Sequence, residues 1–408
     1  MKQVIIVGGG ASSLAAAIAA RTKGLSVLVL ERNNQLGKKL SMTGNGRCNY
    51  GNVDRSLVHF HSAQLPLFEE IWTAENQEKL FHFFDELGII PKIKNGYYYP
   101  YSNQAFSITR AFELEAKDLG VVFEKDCLVR SITKDKEKFL LNTSKGIYQA
   151  DSLILATGSK AYSKTGSDGN GYLLAEVLGH TIVPVLPSLV PLYGKEEKVY
   201  KFWSGVRCEA QVSLYEEGKL ITTKQGELQL TSYGISGICV FDLSGLVAKG
   251  LIQKKKEEIR INFLPFLGST KKEIGLHFLD ERSKIWSHRT LEELLEVFLP
   301  YKLVLAFFQK IGFSKDQKWQ ELSLKKQKEF VSLLLAYPFE VVKTGDFEQA
   351  QVCSGGVSLL EINRQTMESL KVKNLYFAGE ILDVDGDCGG YNLMFAFLSG
   401  LLAGEGIK

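Results

Sequence analysis

The chain has few of the features that tie a protein together covalently or hold it in a membrane. Its 408 residues include only six cysteines, scattered without a C-x-x-C pair, which indicates neither a disulfide framework nor a structural zinc site. This cysteine usage favours a reduced, cytoplasmic setting. Nowhere do about 18 apolar residues follow one another, so no transmembrane helix is predicted. The N-terminal apolar run is too short for the core of a signal peptide.

The chain also has little charge of one sign and little proline. Its 49 Lys+Arg against 46 Asp+Glu leave a formal net charge of +3. This balance argues against a dedicated nucleic-acid clamp or a strongly membrane-attracted surface, but it leaves room for a local basic patch or a large RNA partner. With 38 glycines and 9 prolines, many tight turns within a folded protein are expected. At about 150 residues per domain, the length predicts two to three domains.

The N-terminal segment that ends at Glu31 predicts a βαβ unit. Val4–Val7 and Ser26–Leu30 are apolar runs typical of buried parallel strands. Between them, Gly8–Gly10 reads as a turn and Ala11–Thr22 as an alanine-rich helix packed close to the sheet. Glu31 stands at the carboxyl end of the second strand.

This unit has the pattern of a dinucleotide-binding turn. Gly8 permits a tight turn, and Gly10 lets a pyrophosphate approach the backbone at the helix N-terminus, where N–H groups and the dipole attract it. Glu31, about 20 residues further on, can bind ribose hydroxyls and disfavours a 2′-phosphate. Ser13 stands where a third Gly or Ala usually keeps helix and strand close. The alternative is a glycine turn without a ligand.

Two later segments favour FAD over NAD. The run Leu153–Leu155 is followed by Ala156-Thr157-Gly158, and the run Leu375–Phe377 is followed by a turn at Gly379. Both resemble places where large flavoproteins bring a second chain segment back to the cofactor. A second full fingerprint for a nicotinamide dinucleotide is missing.

These signals predict an α/β fold: a Rossmann-like FAD-binding domain with a parallel sheet, interrupted by a β-rich domain and a small helical domain. Pro184, Pro187 and Pro191 mark the first boundary, and Pro338 closes a region of helical patterns. The predicted domains are a discontinuous FAD-binding domain over 1–187 and 339–408, a β-rich substrate domain over 188–268 and a helical domain over 269–338.

Four longer motifs make the chain resemble one bacterial family of flavoproteins. They are Lys39–Asn49, Thr165–Ser167, Thr231–Gly237 and Gly379–Asn392, and the resemblance covers nearly the whole chain. The family is a three-domain, FAD-binding one whose members are aminoacetone oxidases, 3-dehydro-bile acid delta(4,6)-reductases and ribosomal-RNA uracil reductases. The resemblance implies a bipartite FAD domain with a β-rich and a helical domain inserted, in agreement with the organisation above.

The resemblance also implies which residues contact FAD. The predicted contacts are Gly8, Gly10, Ala11, Ser12, Glu31, Arg32, Lys39, Leu40, Gly46, Arg47, Cys48, Val129, Ala156, Gly158, Gly379, Gly390, Asn392 and Leu393. The chain departs from the family pattern at Ser13, Ser159-Lys160, Ser232, Cys388 and Met394-Phe395. The last three bear on the substrate more than on the cofactor.

Three function hypotheses of different classes follow. The favoured one is an FAD-dependent reductase of a carbonyl-conjugated C=C bond, in a steroid enone of the 3-dehydro-bile acid type or in a ribosomal-RNA uracil, by hydride transfer from flavin N5. The second is an aminoacetone or amine oxidase that uses O2, and the third is a non-catalytic flavin-binding protein. The expected partner is a small-molecule substrate, with RNA as the alternative, for which the lysines at 315, 318, 325, 326 and 328 are a modest hint. NAD(P)H is the candidate electron donor.

Two tyrosines are candidates for the acid that protonates the substrate's α-carbon. Tyr233 lies in a glycine-rich motif of the inserted domain, which in this family covers the flavin; its alternative role is packing at a domain interface. Tyr391 is the second candidate, with stacking near the flavin as its alternative.

No metal site is predicted. The run Asp383–Asp387 has three alternating aspartates, but its glycine comes too early for an EF-hand loop, and a solvated turn is the simpler interpretation. His59 and His61 have no third ligand in register and are interpreted as a surface pair.

Overall fold

The computed structural model describes residues 2–195 and 198–408, and the chain divides into two compact units. The first unit consists of Met1–Leu186 and Ala350–Lys408, and the second of Pro187–Gln349. The further division of the inserted part into a β-rich and a helical domain stays a prediction. None of the described helices is long and apolar enough to cross a membrane.

Strands and helices alternate in the first unit, and the second unit adds a strand-rich and a helical stretch. Over the described residues the strands are β1 (Gln3–Val7), β2 (Ser26–Leu30), β3 (Gly51–Asn52), β4 (Phe60–His61), β5 (Pro91–Lys94), β6 (Tyr97–Pro100), β7 (Val122–Glu124), β8 (Val129–Asp135), β9 (Lys138–Thr143), β10 (Gly146–Ala150), β11 (Ser152–Leu155), β12 (Ile182–Ser188), β13 (Leu192–Gly194), β14 (Arg207–Glu216), β15 (Lys219–Leu230), β16 (Gly234–Gly237), β17 (Glu257–Asn262), β18 (Tyr337–Thr344), β19 (Val352–Val357), β20 (Leu375–Phe377) and β21 (Asp385–Gly386). The helices are α1 (Ala11–Thr22), α2 (Thr43–Gly46), α3 (Leu65–Glu69), α4 (Ala74–Glu86), α5 (Ala105–Asp118), α6 (Asn170–Val177), α7 (Val199–Trp203), α8 (Ile238–Ile252), α9 (Lys272–Ile285), α10 (Leu291–Glu296), α11 (Tyr301–Ile311), α12 (Leu324–Leu335) and α13 (Tyr391–Gly406).

A five-stranded parallel sheet forms the centre of the first unit, in the order β20-β11-β1-β2-β7. Strand β1 lies in the middle, pairing Val4 with Val27 of β2 and Ile6 with Ile154 of β11. Val4, Ile5 and Ile6 are at most 1% exposed. Central strands of parallel sheets bury both faces, which explains why this run is apolar throughout. The predicted α/β fold with a parallel sheet is confirmed.

The N-terminal βαβ unit has the bounds expected from the sequence. Helix α1 begins at Ala11 and ends at Thr22, and β2 follows over Ser26–Leu30. The last helix, α13, covers Tyr391–Gly406. Its buried residues run along almost its whole length, as its small and apolar composition indicates.

A closed barrel forms the strand-rich part of the second unit, in the order β13-β16-β15-β14-β17-β18. Its neighbouring strands are antiparallel. The short strand β16 lies very close to its neighbours: a Cβ at Gly234 would lie 2.1 Å from the Leu192 carbonyl oxygen, and one at Gly237 would lie 2.3 Å from that of Glu227. These glycines allow the barrel to close.

The helices α9–α12 share one hydrophobic core with the barrel. The ring of Phe307 in α11 lies 5.4 Å from Phe263, 6.0 Å from Phe330 and 6.2 Å from Tyr337, centroid to centroid. Strand β18 returns to the barrel after α12, so Pro338, predicted to close the helical region, is itself a barrel residue. Residues 339–344 therefore belong to a strand of the second unit.

Helix α8 was not predicted, because it lies in a stretch interpreted mainly as strands. It packs against β14, β15, β16, β17 and β18. Cys239, Val240, Leu243 and Val247 of this helix are fully buried. A helix that is apolar on most sides shows no clear 3.6-residue periodicity, and its valines favour strands in a pattern-based prediction.

A buried carboxyl group lies at the start of β17. Glu257 is 4% exposed, and neither of its side-chain oxygens has a hydrogen-bond partner among the described residues. It packs against α8, where a Cβ at Gly250 would lie 1.5 Å from Glu257 Oε1. Burial raises the pKa of Glu257 to about 7; the neighbouring Glu216 adds to this shift, and Lys255 opposes it.

The variant Glu257→Gln is expected to be more stable than the wild type at alkaline pH and equally stable in acid. At low pH the carboxyl group of Glu257 is protonated in both the folded and the unfolded protein and has no effect on stability. Between pH 4.5 and about 7 it ionises more readily in the unfolded protein, because its pKa is raised in the folded one, and the folded protein becomes progressively less stable. We expect a gain of about 1–2 kcal/mol in the free energy of unfolding near pH 8 and almost none near pH 4. Urea unfolding at both pH values measures it, and an equal gain at both would contradict this account.

Candidate functional site

A glycine turn joins β1 to α1 and leaves one open space. Gly8 has a φ of +109°, and a Cβ there would lie 2.3 Å from the Ala156 carbonyl oxygen. A Cβ at Gly9 would lie 2.8 Å from Glu31 Oε2, whereas one at Gly10 would meet nothing within 4 Å. The turn is thus packed against the protein at its first two glycines and open at the third.

Helix α1 begins at this open glycine. Gly10 is the N-cap residue in an extended conformation, and no side chain caps the helix. The first turn, from Ala11 to Ser13, is buried and has no acidic side chain. Its backbone N–H groups lie at the positive end of the helix dipole, an arrangement that attracts phosphate.

Glu31 lies beside the turn, as predicted for a ribose-binding carboxylate. It is 7% exposed, and its Oε1 accepts hydrogen bonds from the Asn33 backbone N–H and Nδ2, both at 2.7 Å. Burial raises the pKa of Glu31, and the hydrogen bonds from Asn33 oppose this shift. The carboxylate is therefore oriented by its own loop, next to the glycine turn.

Arg32 is engaged by a second segment of the same unit. Its guanidinium lies 2.5 Å from Asp168 Oδ2 and donates a hydrogen bond to the Gly166 carbonyl oxygen at 3.2 Å. Asn33 Nδ2 donates to the Thr165 carbonyl oxygen at 3.1 Å. The Thr165–Ser167 motif thus lies against the residues that follow β2. Arg32 is exposed, and its contact with a cofactor stays a prediction.

Three distant segments meet at Glu380. Its Oε2 lies 2.5 Å from Lys39 Nζ and 3.1 Å from Ser159 Oγ. A Cβ at the adjacent Gly379 would lie 2.5 Å from Ser12 Oγ, so this turn lies against the start of α1. Ser159, one of the positions at which the chain departs from the family pattern, donates a hydrogen bond to Glu380.

The loop around Arg47 is an accessible part of the predicted site. Gly46 and Arg47 are exposed, and Gly44, Asn45 and Gly46 have positive φ angles. The next residue, Cys48, is fully buried, and burial raises the pKa of its thiol to about 12. Cys48 therefore packs beneath the loop as a protonated thiol, and Arg47 is the side chain free to approach a ligand.

The aspartates of the segment Asp383–Gly390 are buried, so the predicted solvated turn is wrong. Asp383, Asp385 and Asp387 are 1%, 3% and 3% exposed. Asp383 Oδ2 accepts a hydrogen bond from the Ala63 backbone N–H at 2.9 Å. Strand β21 within this segment pairs with β4. The segment is therefore held by a region close to the start of the chain.

The two histidines predicted to form a surface pair contact this loop instead. His59 Nδ1 lies 3.1 Å from Asp387 Oδ2, and His61 Nε2 lies 3.0 Å from Asp387 Oδ1. Their side chains are 25% and 29% exposed. Sequence reasoning missed this pairing because the histidines and their aspartate lie near opposite ends of the chain.

Asn392 closes the loop from the start of α13. Its Oδ1 accepts from the Gly386 N–H at 2.9 Å, and its Nδ2 donates to the Gly386 carbonyl oxygen at 2.7 Å. Gly390, the N-cap residue, has a φ of +95°, and a Cβ there would lie 2.7 Å from the Gly51 nitrogen. Both predicted contact residues thus shape the loop that precedes α13.

Tyr391 and Tyr233, the two predicted acids, have different surroundings. Tyr391 is 2% exposed, and its ring stacks on His59 at 4.4 Å. Tyr233 belongs to the second unit, is 39% exposed and stacks on Tyr193 at 4.6 Å. Burial raises the pKa of Tyr233, the neighbouring Tyr193 adds to the shift, and a hydrogen bond with Thr231 opposes it.

The remaining predicted contacts lie around the same elements. Leu40 and Val129 are buried, and the Val129 carbonyl oxygen accepts from Asn170 Nδ2 at 3.1 Å. Gly158 has a φ of +74°, and a Cβ there would lie 2.6 Å from Ser167 Oγ. Leu393 is half-buried in the first turn of α13. That these residues bind a ligand stays a prediction.

Helix α13 lies against α1 at backbone distance, which sequence reasoning missed. A Cβ at Gly400 would lie 2.1 Å from the Ser12 carbonyl oxygen, and one at Gly404 would lie 2.4 Å from that of Ala16. The buried Ser399 Oγ accepts from the Gly379 N–H at 2.8 Å. The signal was present in the sequence, since Gly400 and Gly404 are one helical turn apart on the same face.

Comparisons with known proteins cover the chain almost completely. Residues 2–406 match the family described as HI0933-like protein Rossmann domain. A 3-dehydro-bile acid delta(4,6)-reductase of Clostridium scindens is 36% identical over 99% of this chain and 98% of its own length. Ribosomal RNA dihydrouridine synthases of Escherichia coli and Haemophilus influenzae are each 28% identical over 97% of this chain, and over 95% and 96% of their own lengths.

The variant Gly400→Ala is expected to destabilise the first unit. The added Cβ would overlap the Ser12 carbonyl oxygen, so the two helices must separate. Overpacking of this kind costs about 1–3 kcal/mol. Urea unfolding measures the loss, and a variant as stable as the wild type would show that the helices are not in backbone contact.

Proposed function

Because the chain belongs to the HI0933-like family of Rossmann-domain proteins, we propose that it is an FAD-dependent oxidoreductase that reduces a carbonyl-conjugated C=C bond of a steroid-like enone. The full-length similarity to a protein named 3-dehydro-bile acid delta(4,6)-reductase is the observation that supports this substrate class. We further propose that the protein acts in the cytoplasm and that NAD(P)H is its electron donor.

The residues of the first unit fit FAD. The space in front of Gly10 is one that a Cβ would fill, and it lies at an uncapped helix N-terminus suited to a pyrophosphate. The buried carboxylate of Glu31 would accept from the ribose hydroxyls. Arg47 would approach the anionic part of the cofactor from its exposed loop, and the Gly379 turn would bring the C-terminal part of the chain to it.

FAD would supply the hydride that the β-carbon of the enone receives. The chain itself would provide the proton for the α-carbon, and Tyr233 Oη is the proposed donor. A tyrosine phenol is protonated at neutral pH, burial keeps the pKa of Tyr233 above its ordinary value, and stacking on Tyr193 restricts its ring. Tyr391 is buried and packed on His59, which favours a positioning role for this second candidate.

Reduction of a uracil in ribosomal RNA is the second candidate function, because it saturates a C=C bond conjugated to a carbonyl and because the two dihydrouridine synthases match nearly the whole chain. One of the lysines that hinted at RNA is paired with an acidic side chain. Lys315 Nζ lies 3.1 Å from Glu292 Oε1, so part of that positive charge is neutralised within the protein.

The variant Gly10→Val tests the cofactor assignment. Its side chain would enter the open space in front of α1, so we expect loss of bound FAD with little change in the stability of the cofactor-free protein. Visible absorbance of the purified protein measures FAD, and thermal unfolding of the FAD-free protein is the control. A variant that binds FAD as fully as the wild type would contradict the assignment.

Reoxidation of the anaerobically reduced protein tests the reaction. We expect fast reoxidation by a steroid dienone and slow reoxidation by unmodified ribosomal RNA and by oxygen. The variant Tyr233→Phe should slow the dienone reaction about 100-fold while retaining FAD, and Tyr193→Phe, which keeps the stacked ring, is the matched control. Fast reoxidation by RNA would favour the second function, and fast reoxidation by oxygen alone would favour an amine oxidase. An unchanged rate of the dienone reaction in Tyr233→Phe would exclude Tyr233 as the acid.

A further inference from the structure

Two histidines and two carboxylates form a chain of hydrogen bonds beside the loop Asp383–Gly390. His59 Nδ1 lies 3.1 Å from Asp387 Oδ2, and His59 Nε2 lies 3.0 Å from Asp54 Oδ2. On the other side, Asp387 Oδ1 lies 3.0 Å from His61 Nε2. The Asp387 side chain is 3% exposed and that of Asp54 is 56% exposed, so the chain leads from solvent to a buried carboxylate.

Both ring nitrogens of His59 face carboxylate oxygens. A neutral imidazole has only one N–H donor, so one of the two contacts would lack a hydrogen. Asp54 is ionised at neutral pH, because its pKa is lowered to about 2, mainly by the hydrogen bond from His59. Asp387 has an imidazole at each oxygen, and a protonated acid could donate to only one of them. The two ring nitrogens of His59 therefore both face hydrogen-bond acceptors.

The same histidine is held against the start of α13. Its ring stacks on Tyr391 with a centroid distance of 4.4 Å and an angle of 19° between the planes. The Asp387 N–H donates to the His59 carbonyl oxygen at 2.8 Å, and β4, which follows, pairs with β21. The segment that begins at His59 thus braces the loop along its side chains and its backbone.

We propose that His59 is a positioning residue, held as an imidazolium between Asp54 and Asp387, whose charge neutralises the buried carboxylate and keeps the loop in shape for the cofactor. The groups that face its ring include Asp54 from its own segment, Asp387 from the loop and Tyr391 from α13, and His61 contacts the same Asp387. Burying a carboxylate is costly, so loss of one of its cationic contacts would weaken the hold on the loop. This role rests on the proposed function, because it requires that the loop is part of a cofactor site.

The charge of His59 is measured on the FAD-free protein. The histidine rings are labelled with ¹⁵N and their nitrogen chemical shifts are measured by NMR. The signals of His59 are those that disappear in the variant His59→Asn. We expect these signals to show imidazolium shifts at both nitrogens at neutral pH. His82, on α4 with Glu86 at 3.2 Å and a side chain 74% exposed, is the internal comparison. Neutral-imidazole shifts for His59 would overturn the proposal.

The effect of removing the charge of His59 is measured as a change in the Kd of FAD. Asparagine at position 59 keeps a donor near Nδ1 but no charge, so His59→Asn should raise the Kd about tenfold. Asp387→Asn removes the buried charge, so the double variant should return to within about threefold of the wild type. His82→Asn is the matched control and should not change the Kd. An unchanged Kd in His59→Asn, or no recovery in the double variant, contradicts charge compensation.

Failure of the proposed function gives a different result. If the wild type does not bind FAD, the cofactor assignment fails, and the role of His59 in cofactor binding fails with it. If the wild type binds FAD tightly and His59→Asn binds it equally well, the proposed function stands and only the positioning role fails.

Discussion

The carbonyl oxygen of Ser12 occupies the place where a side chain at position 400 would begin, and much of the first unit depends on this contact between α1 and α13. Because the two helices touch at their backbones, Ser399 can accept from the Gly379 N–H, and the Gly379 turn lies on the Ser12 side chain. The end of the chain therefore lies against the helix that follows the N-terminal glycine turn. A bulkier residue at Gly400 would move both helix α1, whose N-terminus is proposed to face a pyrophosphate, and the Gly379 turn beside it.

Carboxyl groups with nearby partners are the second feature of this site. The buried Glu31 accepts hydrogen bonds from Asn33, Glu380 forms an ion pair with Lys39, and Asp387 contacts two histidines. A carboxylate near an anionic cofactor repels it unless its charge is used or neutralised nearby. In the proposed FAD site, Glu31 would meet the ribose, and the cationic side chain of Arg47 lies in an exposed loop from which it would approach the anionic part of the cofactor.

Local sequence signals predicted the elements that depend on neighbours in the chain. The strand, turn, helix and second strand of the N-terminal βαβ unit have the expected bounds, because β-branched runs, glycines and an alanine-rich segment each specify one local conformation. The prediction missed α8, whose apolar faces give no period, and it interpreted His59 and His61 as a surface pair. The buried state of Asp387 could not be inferred either, because a run of aspartates and glycines usually indicates a solvated turn.

The sequence by itself determined the Rossmann-type βαβ unit, the family and the glycine turn with its acidic partner, since these depend on short-range spacing. Only the tertiary structure decided which side chains meet from opposite ends of the chain: Lys39 with Glu380, and the histidines with Asp387. Such contacts form when strands such as β4 and β21 pair. Their partners are chosen by the folded backbone and by the cost of burying an unpaired charge, neither of which is visible in a local pattern.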